Sequence, residues 1–86
     1  MKFGEALQLL EYGHSVFRTG WNGKGMFLYL VPEDSYAAQT AIARKEFGDF
    51  VPYGAYIAIK TVQGTVEAGW RPTTMDMLAD DWQQLD

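Results

Sequence analysis

Cysteine is absent from the 86 residues and histidine occurs once. The first absence excludes a disulfide framework and a thiolate-held metal, and it suits a reducing compartment. The second leaves His14 as the sole imidazole. It follows a helix-like segment and has no nearby Ser or Cys partner, so it reads as a surface or helix-end charge and not as a general base. Long apolar runs are also missing. Met26 to Val31 is only strand length, far short of a membrane span. Met1-Lys2 leads directly into a helical pattern and not into a signal peptide, so a soluble, intracellular protein with no membrane partner is expected. Cations are scarce too: seven Lys and Arg against eleven Asp and Glu leave a net charge of −4. That balance argues against binding long nucleic acid by counterion release.

What the chain has in plenty is aromatic surface, with three Trp, five Tyr and five Phe. Its size implies one domain, residues 1–86, leaving roughly 5,000 Å² accessible out of roughly 14,000 Å² in the open chain. A globule this small cannot readily hide so many rings, and such residues concentrate at interfaces and ligand pockets. The charge is unevenly spread. No acid falls between Tyr12 and Pro32, where His14, Arg18 and Lys24 lie, whereas Asp76, Asp80, Asp81 and Asp86 gather near the acidic end.

Phe3, Ala6, Leu7 and Leu10 recur at helical spacing, and Gly13 is placed to stop that helix in a left-handed conformation. Ser15 to Thr19 and Met26 to Val31 read as a strand pair. Asp34 or Ser35 caps an alanine-rich helix that Gly48 ends, and Phe50 to Gly54 reads as a connection. Ala55 to Thr61 and Thr65 to Trp70 form a second strand pair across Gln63-Gly64, with Ile57 and Ile59 on one face and Tyr56, Ala58 and Lys60 on the other. Thr73-Thr74-Met75-Asp76 has capping-box spacing and predicts a helix from Thr74 to about Asp80, with Trp82 on its apolar side in the core or an interface. The order α-β-β-α-β-β-α defines an α+β domain on an antiparallel sheet, with about three helices.

The chemistry gathers in Arg18-Thr19-Gly20-Trp21-Asn22-Gly23-Lys24. A ring face, positive charge and free N–H groups suit a nucleotide-like ligand. The bland alternative is a hairpin, since Asn22-Gly23 matches the type I′ turn. The run is not a Walker A loop, lacking its glycine spacing and the following Ser or Thr. Trp70-Arg71-Pro72-Thr73-Thr74 repeats the same chemistry at a helix start. No catalytic constellation emerges, and no cofactor or metal is expected. Asp76, Asp80 and Asp81 could hold magnesium, but a cap and solvated charges account for them more simply.

Phe3-x-x-Ala6-Leu7, Arg18-x-Gly20-Trp21-Asn22-Gly23-Lys24, Met26-Phe27-Leu28, and Trp70 followed by Thr73-x-x-Asp76-Met77-Leu78-Ala79-x-Asp81-Trp82 occur in that order. This combination resembles the second Thoeris anti-defence family of small phage and prophage proteins, with Thr73 standing where the family usually has serine. Residues 33–52 carry none of the matching motifs. The resemblance implies a non-enzymatic, homotetrameric sponge in the cytoplasm of the infected bacterium. Its ligand would be a cyclic ADP-ribose isomer or, in some relatives, a cyclic oligonucleotide.

The residues carried over as ligand-binding are Arg18, Trp21, Asn22, Gly23, Lys24, Met26, Trp70, Arg71, Thr73, Thr74 and Asp76. A base can stack on Trp21 or Trp70, phosphates can meet Arg18, Lys24 and Arg71, and ribose hydroxyls can meet Asn22, Thr74 or Asp76. The rival reading is a phage accessory protein that inhibits a host protein through an aromatic surface.

Overall fold

The computed structural model describes all 86 residues. Helix α1 (Phe3–Glu11) is followed by strands β1 (Val16–Arg18), β2 (Phe27–Val31) and β3 (Asp34–Ala37), helix α2 (Ala41–Phe47), strands β4 (Phe50–Tyr53), β5 (Tyr56–Lys60) and β6 (Val66–Ala68), helix α3 (Thr74–Leu78) and strand β7 (Trp82–Gln84). Five strands form one sheet in the order β6-β5-β2-β1-β7, and β3 pairs with β4 alone. Every pairing is antiparallel. The α+β class and the expected order therefore hold, with β3, β4 and β7 as additional strands.

The core forms where α1 lies across one face of the main sheet. Ala6 and Leu10, four residues apart and so on one helix face, meet Val16, Leu28 and Trp82, and all five are fully buried. Ile57 and Ile59 pack against this cluster from β5, as strand alternation requires. Each large side chain withdrawn from water here contributes about 1.5–3 kcal/mol. Gly13, at φ +92°, lets the chain leave α1 in the left-handed region, and Gly64, at φ +86°, turns β5 into β6.

Three local expectations are corrected. The alanine-rich helix does not begin at Asp34 or Ser35: Asp34–Ala37 is strand β3, and α2 starts at Ala41 after Thr40, whose hydroxyl accepts from the Ala43 N–H at 3.2 Å. Helix propensity loses here because Phe50 to Tyr53, expected as a connection, supplies β-favouring residues that pair with the segment from Asp34↔Tyr53 to Ala37↔Phe50. Next, Asn22-Gly23 is not a type I′ turn, since no non-glycine residue has positive φ. The strands diverge into a wider loop that uses Gly25, at φ +80°. Lastly, α3 ends at Leu78 and Trp82 belongs to β7, where it pairs with Arg18 of β1. Burying the largest ring of the core in a sheet pairing overrides helical continuation, while the placement of Trp82 in the core stands.

Candidate ligand-binding site

Arg18 ends β1 and lies directly across from Trp82 of β7. That register brings its guanidinium between α3 and the turn entering β7. Nη1 donates to Asp76 Oδ1 at 2.9 Å, and Nε donates to Asp81 Oδ1 at 2.8 Å. The three side chains are largely shielded from water, so these are strong charge-assisted contacts. The two carboxylates raise the Arg18 pKa, the bond to Asp81 contributing most and that to Asp76 next.

Asp76 serves three elements at once. Burial pushes its carboxyl up, but the Thr73 N–H, the Arg18 guanidinium, the Thr73 hydroxyl and the Trp21 indole together hold it below the ordinary range. Oδ2 accepts from the Thr73 N–H and hydroxyl, each at 2.9 Å, while the Thr73 hydroxyl accepts from the Asp76 N–H at 3.1 Å. The expected capping box is therefore formed, with aspartate in place of the longer Glu or Gln. Trp21 Nε1 approaches Oδ1 at 3.5 Å, at the outer limit of a hydrogen bond, and Trp82 Nε1 donates to the Asp76 carbonyl at 2.9 Å.

The three tryptophans form one cluster. Trp21 meets Trp82 edge-to-face with centroids 5.5 Å apart; Trp70 lies 6.4 Å from Trp21 and 6.2 Å from Trp82, also edge-on. Such T-shaped pairs favour the quadrupoles of both rings. Trp82 is fully buried, whereas Trp21 and Trp70 are half-buried and pack onto the core while keeping part of their surface in solvent.

Glycine in this loop answers to close approach. A Cβ on Gly20 would sit 2.7 Å from Asp81 Oδ2, and the Gly20 N–H donates to that same oxygen at 2.8 Å. A Cβ on Gly23 would collide with Val62 and with the Met26 side chain, so the loop is pressed onto the turn between β5 and β6.

The structure thus unites Arg18, Trp21, Trp70, Thr73 and Asp76 around the indole cluster, and places Gly23 against Met26. Asn22, Lys24, Arg71 and Thr74 are exposed on the flanking segments, and neither Lys24 nor Arg71 is in an ion pair. Asp81, read from sequence as a solvated charge, is instead the second anchor of Arg18; its only sequence signal was its place in the Asp76-to-Trp82 motif. Arg18 hydrogen bonds and the Gly20 N–H hold its carboxyl below the ordinary range against the effect of burial. His14 stands apart, its Nδ1 4.0 Å from Asp86 at the far end of the β1–β7 pair, in keeping with a surface position.

A wide cleft of about 700 Å³ opens elsewhere, lined by Tyr36, Ala37, Gln39, Tyr53, Tyr56, Ala68 and Gly69. None of the residues proposed from sequence lines it.

The Thoeris anti-defense 2-like domain matches residues 1–85. The chain belongs to the Thoeris anti-defense 2 family. A relative from Bacillus phage SP01, named Thoeris anti-defense 2, is 43% identical over 82 residues, covering 95% of this chain and 91% of the relative. The family match spans residues 33–52 as well, although they carry no motif recognised in the sequence. In this Thoeris anti-defense 2 family member, the Arg18-to-Lys24 and Trp70-to-Trp82 segments meet in space through the Arg18 carboxylate contacts and the indole cluster. No helix is long and apolar enough to cross a membrane.

Proposed function

We propose that this protein counters Thoeris immunity for a phage by binding a cyclic ADP-ribose-type signal and holding it intact, in the cytoplasm of the infected bacterium. The observation that carries the reading is the family match over nearly the whole chain. The half-buried Trp21–Trp70 pair, flanked in sequence by the unpaired cations Lys24 and Arg71, supports it chemically.

In this reading an adenine ring stacks on the open surface of Trp21 or Trp70, contributing about 1–3 kcal/mol. Lys24 and Arg71 meet the phosphates, and Asn22 and Thr74 meet ribose hydroxyls. Arg18, Thr73 and Asp76 act chiefly by fixing the wall, since the Arg18 charge is already met by two carboxylates and both Asp76 oxygens have donors. Gly23 and Met26 hold the loop against Val62. A cyclic oligonucleotide offers the same base and phosphate groups and belongs to the same ligand class. Asp76 and Asp81 are held ionised by Arg18, an arrangement that suits retention better than acid-catalysed cleavage. None of Arg18, Trp21, Trp70, Thr73 and Asp76 lines a cleft of the single chain; in this reading the pocket is completed between copies in a homo-oligomer, for which the resemblance implies a tetramer.

The test is capture and release. The protein is incubated with individual cyclic ADP-ribose isomers or cyclic oligonucleotides, freed of unbound ligand, heat-denatured, and the supernatant resolved by chromatography. Intact ligand in the supernatant is expected. An altered product would instead indicate an enzyme, and no uptake of any of these ligands would shift the reading to inhibition of a host protein through an aromatic surface.

A further inference from the structure

Between Arg18 and Phe27 no residue belongs to a helix or strand, so irregular chain carries Trp21. The ring itself is weakly tied. Its Nε1 reaches Asp76 Oδ1 only at 3.5 Å, and its aromatic contacts with Trp70 and Trp82 are edge-on approaches. The orientation of the ring therefore depends on the backbone beneath it.

Asp81 holds that backbone. Its Oδ1 accepts from Arg18 Nε at 2.8 Å, its Oδ2 accepts from the Gly20 N–H at 2.8 Å, and its main-chain carbonyl accepts from the Thr19 N–H at 3.2 Å. The Thr19 hydroxyl approaches Oδ2 as well, at a longer 3.4 Å. One aspartate thus binds the three consecutive residues that precede Trp21. The Trp21 N–H donates to the Arg18 carbonyl at 3.2 Å and closes the turn. Only a carboxylate can accept on both oxygens; an amide would turn a donor toward Arg18 Nε or toward the Gly20 N–H.

We propose that Asp81 is the positioning residue for Trp21, fixing the chain under the indole so that its open surface is preset for a stacked base. The inference takes its consequence for binding from the proposed function and its cause from the clamp alone. Because the N–H groups of Thr19, Gly20 and Trp21 are all engaged within the protein, this turn offers a fixed ring face and not the anion cradle its glycines suggest. Phosphate contact falls to side-chain cations. A ring set in place beforehand spares binding the entropy of ordering it.

Proton–nitrogen correlation spectra of the full chain test the clamp without ligand. Trp21→Phe assigns the Trp21 indole signal among the three. Asp81→Asn is expected to move that signal toward the position of a solvent-exposed indole, with far-ultraviolet circular dichroism unchanged. A folded Asp81→Asn protein whose Trp21 signal keeps its wild-type position overturns the proposal. If Asp81→Asn does not fold, Gly20→Ala replaces it under the same outcomes, since the added methyl intrudes on Oδ2 and not on the oxygen that holds Arg18 Nε. Calorimetry with individual cyclic ADP-ribose isomers then tests the consequence. Asp81→Asn is expected to raise the dissociation constant about five- to 150-fold, the equivalent of one stacked base. Ser15→Ala controls for lost stability alone: it removes the 2.9 Å hydroxyl bond to Asp86, at the other end of β1, and is expected to bind as the wild type does. Wild-type affinity in folded Asp81→Asn, or an equal loss in Ser15→Ala, overturns the proposal. A wild type that captures none of these isomers removes the ligand reading, and the indole signal still decides whether Asp81 sets the ring.

Discussion

Arg18 ties the loop after β1 to two carboxylates of the C-terminal segment. An arginine beside glycines and a tryptophan has the composition of a phosphate contact, but its guanidinium is fixed by Asp76 and Asp81, 58 and 63 residues away. No local pattern announces so distant a pairing. Replacing Arg18 with Ala leaves two shielded carboxylates facing each other and is expected to cost about 3 kcal/mol, measured as a lower urea midpoint at unchanged slope. Gly20→Ala forces its methyl into the Asp81 carboxylate and is expected to cost about 1–2 kcal/mol. Acid should act on the same group. Asp76, Asp81 and Asp86 all have carboxyl pKa values lowered from the ordinary 3.8, so over that interval the unfolded chain binds more protons than the folded one. Their stabilisation is complete above the ordinary carboxylate range and is lost as pH falls through 3.8 toward the lowered folded values. Unfolding free energy measured against pH is therefore expected to fall on the acid side, and more steeply in the wild type than in Asp76→Asn.

Elements whose signals lie within a few residues were legible in advance. The Phe3, Ala6, Leu7 and Leu10 spacing marks α1, Gly13 marks its end, and Thr73 and Asp76 mark the start of α3; all three stand in the structure. Segment 34–37 was not legible, because its strand character comes from pairing with residues 50–53 across the intervening helix. The burial of Trp82 was legible and its element was not: the spacing from Leu78 places it on the apolar side of the last helix, whereas pairing with β1 sets it in β7. The α3 cap offers a clean test. Thr73→Ala removes a hydroxyl that both donates to Asp76 and accepts from its N–H, and is expected to lower stability by about 1–2 kcal/mol. Thr73→Ser keeps both bonds and should retain nearly all of that stability, as read by thermal unfolding.

At the scale of the whole molecule, the chain is extended, measuring 45 × 26 × 25 Å with a radius of gyration of 15.1 Å. A spherical domain of this length has a radius of gyration of about 12 Å. The β3–α2–β4 segment packs on no other helix or strand and so stands off the main sheet. If assembly and ligand capture both stabilise the native state, the thermal midpoint rises with protein concentration, and ligand at a hundred times its dissociation constant adds about 2.7 kcal/mol. Scanning calorimetry across protein and ligand concentrations checks both, and a midpoint independent of each would contradict the linkage. The indole cluster has an optical consequence. All three tryptophans lie within 6.4 Å of one another, one sealed and two half-open, so the chain's ultraviolet emission comes from a single coupled site. The protein therefore carries a built-in reporter: a base settling on Trp21 or Trp70 would dim the emission of the whole coupled cluster without any attached dye.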